Sequence, residues 1–387
     1  MTKFYDILLL AYILFAYPKA YSEVSGSFKS HVISGNQVTI DGAFETENSY
    51  AVTSRINSLD WINPSIYLES AYSLSLQYSK ENEPVPYFES LSYRIYDLNR
   101  EITRSLQSDN LFGIQNLDRF VLVYGGRSYD LYMGRQAISF GSSKFSNPID
   151  VFLPYPIGAI DSEYRSGIDA IRVRKPLGDF SELDFGVFFG KEAKEESSGV
   201  YVSTNMLIKE NELLLIAAKY RNNVIYGLDF QGSIFSQGLT FEISQNEMKE
   251  IDGLSQDYIR YAVGVNAKFS DELFAIFEYH YNGSGETDKQ NYPLNFTKLS
   301  HLEGGVYFMA QRYFASLLSY QFTPLANIAL NIINNLDDQS IYSFAAFDYS
   351  LKDNLFISAS INSFSGASDS EYGARKGAST LSLKYYF

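Results

Sequence analysis

The side chains that could carry covalent or metal chemistry are few. The chain of 387 residues contains no cysteine and only three histidines, His31, His280 and His301. Without cysteine there can be no disulfide, thiolate metal site or thiol nucleophile. The histidines and carboxylates show no spacing typical of metal ligands, so the sequence predicts neither a metal nor a cofactor.

His280 is the best candidate for catalysis. It shares the polar face of an alternating segment with Glu278, and Ser284 follows closely, which allows a Ser–His–acid arrangement. A polar residue on the wet face of a strand explains the same pattern without any chemistry. We therefore expect a protein that is not an enzyme, with a hydrolase centred on His280 as the lesser alternative.

The most informative stretch, residues 134–175, brings charges of both signs together among prolines and serines. Its middle part, 139–166, is longer than a connection that only joins two strands needs to be. Eight residues in and beside it are candidates for a charged site: Arg135, Asp150, Asp161, Glu163, Arg165, Asp169, Arg172 and Arg174. Either these charges face a passage, or they only order an outer loop against itself. Asp150 and the pair Asp337–Asp338 could also meet calcium at a surface, but exposed carboxylates usually meet only water.

Alternation with a period of two predicts the elements that position these residues. In 66–79, 257–269 and 354–362, apolar side chains occupy one face and polar side chains the other, as in half-exposed β-strands. The same pattern recurs near 117–124, 128–138, 167–175, 182–190, 200–208, 211–220, 225–233, 236–244, 272–282, 312–323, 326–335 and 340–350. Thirty-two tyrosines and 29 phenylalanines agree with an all-β chain.

The strands run to about ten residues, the length that crosses a bilayer at a tilt, whereas soluble strands average about five or six. Tight turns alternate with long polar loops, as in an up-and-down barrel that has short turns at one end and long loops at the other. We therefore predict an all-β, transmembrane antiparallel barrel of about 16–18 strands rather than a soluble sandwich or solenoid. Segment 24–34 should be the first strand and pair with the last, and 299–311 should belong to a long loop.

The two ends of the chain indicate export. Residues 1–22 carry Lys3, a short apolar run and small residues before a cleavage site, which is typical of a signal peptide. The barrel would then comprise residues 23–387. At the other end, LSLKYYF alternates and stops on Phe387, with Leu381, Leu383 and Tyr385 on the same face. The net charge of −14 excludes a nucleic-acid partner, since phosphate binding needs clustered Lys and Arg.

Several short motifs resemble those of bacterial outer-membrane porin-like barrels, including alginate-export-like and related poorly characterised families. They are Gly134-Arg135-Gln136, Phe140-Gly141, Asn147-Pro148-x-Asp150-x-Phe152-x-Pro154, Glu163-x-Arg165-x-Gly167-x-Asp169-Ala170 and Asn335-Leu336-Asp337-Asp338-x-Ser340. The resemblance implies an outer-membrane location and solute diffusion. It also implies that Tyr385 and Phe387 form the signal read by the barrel-assembly machinery. Alginate is not carried over as substrate, because this chain is strongly acidic.

Together these observations predict a porin-like channel of the bacterial outer membrane for small hydrophilic solutes. The 139–166 loop and its charges would narrow the lumen and set its preference for size and charge. The partners would be outer-membrane lipids, the assembly machinery and the solutes, and the chain could form a homo-oligomer. A structural or adhesive barrel without an open pore is the main alternative.

Overall fold

The computed structural model describes residues 21–38, 44–79, 93–98, 110–152, 163–248, 257–373 and 375–387. Within these residues the chain forms one antiparallel sheet of eighteen strands, and β1 pairs with β18 to close it into a barrel. The strands are β1 (Tyr21–Val38), β2 (Phe44–Asn63), β3 (Ile66–Tyr78), β4 (Leu111–Gly125), β5 (Asp130–Gln136), β6 (Ile168–Pro176), β7 (Glu182–Phe189), β8 (Gly199–Ile208), β9 (Asn211–Tyr220), β10 (Asn223–Ile234), β11 (Gln237–Met248), β12 (Tyr258–Lys268), β13 (Leu273–Asn282), β14 (Arg312–Thr323), β15 (Ala326–Asn335), β16 (Ile341–Lys352), β17 (Leu355–Ser365) and β18 (Ala378–Tyr386). The predicted fold class is confirmed at its upper strand number.

The alternation seen in the sequence separates an outer apolar face from an inner polar face. In β18, Leu381 and Leu383 are 50% and 44% exposed on the outside, whereas Ser382 between them is only 6% exposed. The outer face of the barrel therefore carries the large apolar side chains that a soluble protein would bury. A closed barrel also leaves no strand edge unpaired, which is the condition for crossing lipid with strands.

The seam between the first and last strands is continuous to the end of the chain. Ser27 pairs with Tyr386 and Gly35 with Ala378, so the predicted pairing of the first strand with the last is confirmed. Beyond the ladder, the backbone N–H groups of Gly26 and Phe387 each donate to the other residue's carbonyl oxygen, at 2.8 and 3.0 Å. Strand β2, 20 residues long, was not predicted, because the first sixty residues alternate weakly.

The connections divide into two rims, as predicted. One rim carries tight turns, such as Lys209–Glu210 and Phe235–Ser236, and the other carries the long connections. The segment 299–311 lies in the long-loop rim, between β13 and β14, and contains no strand. Two short helices lie in that connection, α1 (Tyr292–Asn295) and α2 (Leu299–Leu302). Single 3-10 turns occur at Lys191–Ala193, Glu195–Ser197 and Lys289–Asn291.

In the described part of the chain, no helix has the length and apolar character needed to cross a membrane. Strand β1 begins at Tyr21, and residues 1–20 of the predicted signal peptide lie outside the described residues.

Candidate functional site

The loop between β5 and β6 turns into the barrel instead of extending away from it. Its first limb, residues 137–152, is described, and its backbone N–H groups are bound by Glu242 on the inner face of β11. Ser142 and Ser143 donate to Oε2 of Glu242 at 3.1 and 3.2 Å, and Ile149 donates to Oε1 at 2.9 Å. Gly141 allows this approach. It has φ +87°, and a Cβ there would lie 2.5 Å from Oε2 of Glu242.

A second buried glutamate, Glu278 on β13, binds the tip of the same limb. The N–H of Lys144 donates to Oε1 at 2.8 Å and that of Phe145 to Oε2 at 3.2 Å. Glu278 also contacts His280, with 3.0 Å between Oε2 and Nε2. Two glutamates therefore accept five backbone N–H groups. Every residue except proline has a backbone N–H, whatever its side chain. These five hydrogen bonds therefore fix the path of the loop backbone and do not depend on which side chains the loop carries.

The other side of the limb packs on the inner wall through apolar contacts. Phe140, Ile149 and Phe152 are almost completely buried and form one cluster with Phe188 of β7 and Tyr201 of β8. The rings of Phe152 and Phe188 meet edge to face, with centroids 4.7 Å apart. The limb is thus held by apolar packing on β6–β10 and by hydrogen bonds on β10–β13.

The returning limb of the loop contacts the seam of the barrel. Nζ of Lys29 (β1) donates to Glu163 at 2.6 Å, and the hydroxyl of Tyr386 (β18) donates to the same oxygen at 2.8 Å. Partial burial would raise the pKa of the Glu163 carboxyl, but the hydrogen bonds from Lys29 and Tyr386 outweigh it and lower that pKa. The guanidinium of Arg55 lies 4.1 Å from the ring centroid of Tyr164. Glu163 therefore joins the first and last strands.

Arg165 and Asp150 connect the two limbs of the loop to each other. Nη1 of Arg165 is 2.5 Å from Oδ2 of Asp150, which is 1% exposed. Next along the chain, the N–H of Gly167 donates to Asp118 of β4, which also pairs with Arg55. Asp161, the remaining acidic candidate of this loop, lies outside the described residues.

Arg135 and Asp169 form a separate cluster at the long-loop rim. Nε of Arg135 lies 2.7 Å from Oδ1 of Asp169, and its other nitrogens donate to the carbonyls of Tyr96 and Leu117. Gly134, with φ +121°, precedes it. Arg135 has the parity of Met133, which is 39% exposed on the outer face, so its side chain can be buried only at a strand end or after a bulge. In the structure it stands next to last in β5 and is covered by segment 93–98.

Arg172 and Arg174 share the inner face of β6, whereas Ile171, between them and the start of the strand, is exposed on the outer face. Nη2 of Arg172 is 2.5 Å from Oδ2 of Asp184 on β7, and Arg174 lies 2.8 Å from Glu182. Tyr201 also donates to Asp184, at 3.0 Å. The positive charges of both arginines are thus neutralised by acidic side chains of β7.

Seven of the eight predicted residues are described, and they fall into three groups. Asp150, Glu163 and Arg165 hold the loop, Arg172 and Arg174 line the wall below it, and Arg135 with Asp169 ties the rim. Glu242 and Glu278 were missed as site residues, although each is an isolated acid on the polar face of an alternating segment. An acid at such a position could have been recognised as a residue that holds a loop, because a lumen-facing acid needs a hydrogen-bond partner when it is buried.

The histidines and rim acids are occupied by structural contacts. Ser284 hydrogen-bonds the hydroxyl of Ser300, whereas His280 is bound to Glu278, so the Ser–His–acid grouping of the hydrolase alternative is not formed. His301 has its pKa lowered to about 4 by burial, although a hydrogen bond to the carbonyl of Phe308 opposes the shift. His31 contacts Ser382 at 2.8 Å.

The predicted rim carboxylates cap turns. Asp337 accepts from the N–H groups of Gln311 and Arg312, and Asp338 accepts from those of Ser340 and Glu371. Among the described residues, no group of three or more His, Asp or Glu side chains could hold a metal ion.

Glu371, in the connection between β17 and β18, contacts the connection between β13 and β14 and the ends of β14 and β15. Its carboxylate accepts from the hydroxyl of Tyr313 at 2.6 Å, the amide of Asn335 at 2.8 Å and the N–H of Met309 at 3.3 Å. Burial raises the pKa of Glu371 to about 7, although these hydrogen bonds and the charge of Arg375 oppose the shift. The long-loop rim is thus tied together by one carboxyl group whose pKa is raised above its ordinary value.

Solved barrels with the same architecture exist, although no protein-family model and no curated protein matches the sequence. OccAB4 from Acinetobacter baumannii is similar with a TM-score of 0.60 and 11% identity, over 95% of this chain and 98% of that chain. The outer-membrane protein OpdK from Pseudomonas aeruginosa gives 0.57 and 8%, over 94% and 99%. OccK9 (OpdG) from the same organism gives 0.58 and 10%, over 94% and 98%. At such identities the likeness establishes the fold alone, and it does not support the narrower alginate-export-like resemblance.

Proposed function

We propose that this protein is an outer-membrane porin-like channel through which small hydrophilic solutes diffuse. The observation that carries the proposal is the inward loop of residues 137–152, fixed to the inner wall of a closed eighteen-strand barrel. A loop held in this way narrows a lumen without having to move. The fold similarity to OccAB4, OpdK and OccK9 supports the same class of protein.

The location and partners belong to the same proposal. The apolar outer face would contact outer-membrane lipids, and residues 1–22 would direct export. Tyr385 and Phe387, stacked with ring centroids 6.3 Å apart beside the seam, would present the assembly signal. No catalytic step is proposed, since Ser284 and His280 have different partners. Self-association into a homo-oligomer stays a prediction.

Planar-bilayer recording tests the proposal directly. The purified, folded protein should produce discrete conductance steps. A barrel that is folded, as judged by its heat-modifiable migration in gels, and still carries no current would favour the structural or adhesive alternative.

Removal of the inward loop tests its role. Replacing 142–160 with a short Gly-Ser linker should increase the single-channel conductance several-fold and weaken ion selectivity, because the constriction would be lost. A matched control replaces 192–197, an exposed connection between β7 and β8 at the same rim, and should leave both values unchanged. Equal conductance in the two variants would contradict the constriction.

A further inference from the structure

The inner wall of the barrel has two parts that differ in burial. On β10–β13 the inward-facing side chains are covered by the loop. Glu242 and Ser244 are 0% exposed, Glu278 is 1% exposed and Arg260 is 5% exposed. We call this part the covered wall. Its charges are used to hold the loop, as the bonds to Glu242 and Glu278 show.

The second part lies on the other side of the lumen and crosses the seam. On β15–β18, β2 and β3, several inward-facing hydroxyl and amide side chains are half-buried, although Ser358 and Ser382 of the same strands are buried. We call this part the open wall and define it by six residues: Asn331, Ser360, Asn362, Thr380, Thr53 and Ser75. Their outward neighbours identify the faces, since Leu330, Ile361 and Leu381 are exposed on the outside of the barrel.

Strand register places pairs of these residues side by side. Ser360 lies opposite Thr380 across β17 and β18, and Thr53 opposite Ser75 across β2 and β3. The hydroxyls of Thr53 and Ser75 are 3.0 Å apart and hydrogen-bonded. The hydroxyl and amide groups are interrupted by Phe344, which lies between Asn331 and Asn362, and on β1 by Ile33 opposite Thr380 and Lys29 opposite Thr53.

Charge is nearly absent from this surface. Asp348, on the inner face of β16, is hydrogen-bonded to the hydroxyl of Ser358, and Lys384 on β18 lies nearer the short-turn rim, opposite Lys29. The bases at the edge of the wall are neutralised, Lys29 by Glu163 and Arg55 by Asp118. The loop, in contrast, carries exposed Lys144 at its tip.

We infer that solutes pass along the open wall, where hydroxyl and amide side chains exchange hydrogen bonds with polar, hydroxyl- or amide-bearing solutes. This inference rests on the proposed function and specifies the route. Burial excludes the covered wall as a route, because the loop fills the space above it. Hydrogen bonds to neutral groups are also weak enough to be exchanged stepwise, as passage requires.

The absence of cysteine makes the route directly testable. Single variants Ser360→Cys and Ser75→Cys place a thiol on the open wall, and Ser244→Cys places one on the covered wall as the matched control. The folded variants are treated with a charged, water-soluble methanethiosulfonate, and the adduct is measured by mass. We expect complete modification at positions 360 and 75 and at least tenfold slower modification at position 244. Faster modification at position 244, or none at 360 and 75, would overturn the inference.

Current recording separates this inference from the proposed function. Modification at position 360 should reduce the single-channel current, and unchanged current after complete modification would also overturn the route. Ser360→Asp and Ser360→Lys should shift the reversal potential in a salt gradient in opposite directions, and equal values would count against it. Absence of current from the unmodified wild-type protein would instead overturn the proposed function, whatever the pattern of modification.

Discussion

Two glutamates, Glu242 and Glu278, hold the first limb of the inward loop in position. A typical intramolecular hydrogen bond contributes about 0.5–1.5 kcal/mol net, and five backbone donors depend on these two side chains. They act through the loop rather than on the solute, and are therefore positioning residues.

Removal of the Glu242 carboxylate should release the first limb of the loop. We expect Glu242→Ala to leave three N–H groups without an acceptor, and to increase both the mean conductance and the current noise. Glu242→Gln keeps one acceptor oxygen and should show a smaller effect. Glu210→Gln, in an exposed tight turn, is the control. Noise equal to that of Glu210→Gln in both Glu242 variants would show that the apolar cluster alone holds the limb.

The protonation of Glu371 makes the stability of the outer loops depend on pH. Its folded pKa of about 7 lies above the ordinary carboxyl value of 4.5, so the folded state binds the proton more tightly than the unfolded state. The resulting stabilisation is fully present below pH 4.5 and is lost as pH rises through about 7. The shift corresponds to at most about 3 kcal/mol.

The titration should be visible as local opening of the loops. Amide exchange in 303–311 and 366–373 should be slower at pH 5 than at pH 8, after correction for the intrinsic rate. Tyr313, Tyr372, Asp338 and Arg375 surround the carboxyl and stay in place in Glu371→Gln, which should remove the difference. A pH dependence that persists in this variant would assign it to another group.

At the scale of elements, the loop and the barrel seam stabilise each other. Glu163 binds Lys29 of the first strand and Tyr386 of the last, so one loop carboxylate spans the pair of strands that closes the barrel. Lys29 is 1% exposed, and a buried charge left without its partner is costly.

Loss of this carboxylate should weaken closure. Glu163→Gln is expected to lower the free energy of unfolding by about 3 kcal/mol, because the buried ammonium group of Lys29 would lose its ion pair with a charged carboxylate. The measurement is the temperature at which the folded band is lost in heat-modifiability gels. Lys29→Met combined with Glu163→Gln should recover much of the loss, and additive losses would show that the two residues act independently.

At the scale of the whole molecule, the two faces of the sheet differ in polarity, and we propose that the outer face contacts lipid. Leu330 is exposed on the outer face of β15, and its neighbour Asn331 points into the lumen. Leu330→Arg should destabilise the barrel in lipid by about 2–4 kcal/mol, the cost of a cation near the bilayer midplane. Asn331→Arg, the matched control, should leave stability nearly unchanged and lower the conductance.

Unfolding by denaturant in lipid vesicles provides the comparison. If the two arginine variants lost equal stability, the outer face of β15 would not be in contact with lipid.

The sequence by itself determined the class of fold. Alternation with period two, strand length and the distribution of turns gave an antiparallel barrel of 16–18 strands, and the ladder from β1 to β18 confirms it. These features are local, so a window of ten residues contains them. Parity within a strand is local for the same reason and places Arg172 and Arg174 on one face, whereas Arg135 near the end of β5 departs from it.

Only the tertiary structure decided where the loop goes and which charges hold it. Glu242 lies about a hundred residues from the N–H groups it accepts, and Glu163 lies farther still from Lys29 and Tyr386. Such contacts depend on the closed geometry of the barrel, which brings distant strands around one lumen. The charges of 134–175 were visible in the sequence, but their partners were not, and the partners decide whether a charge faces the solute or supports the wall.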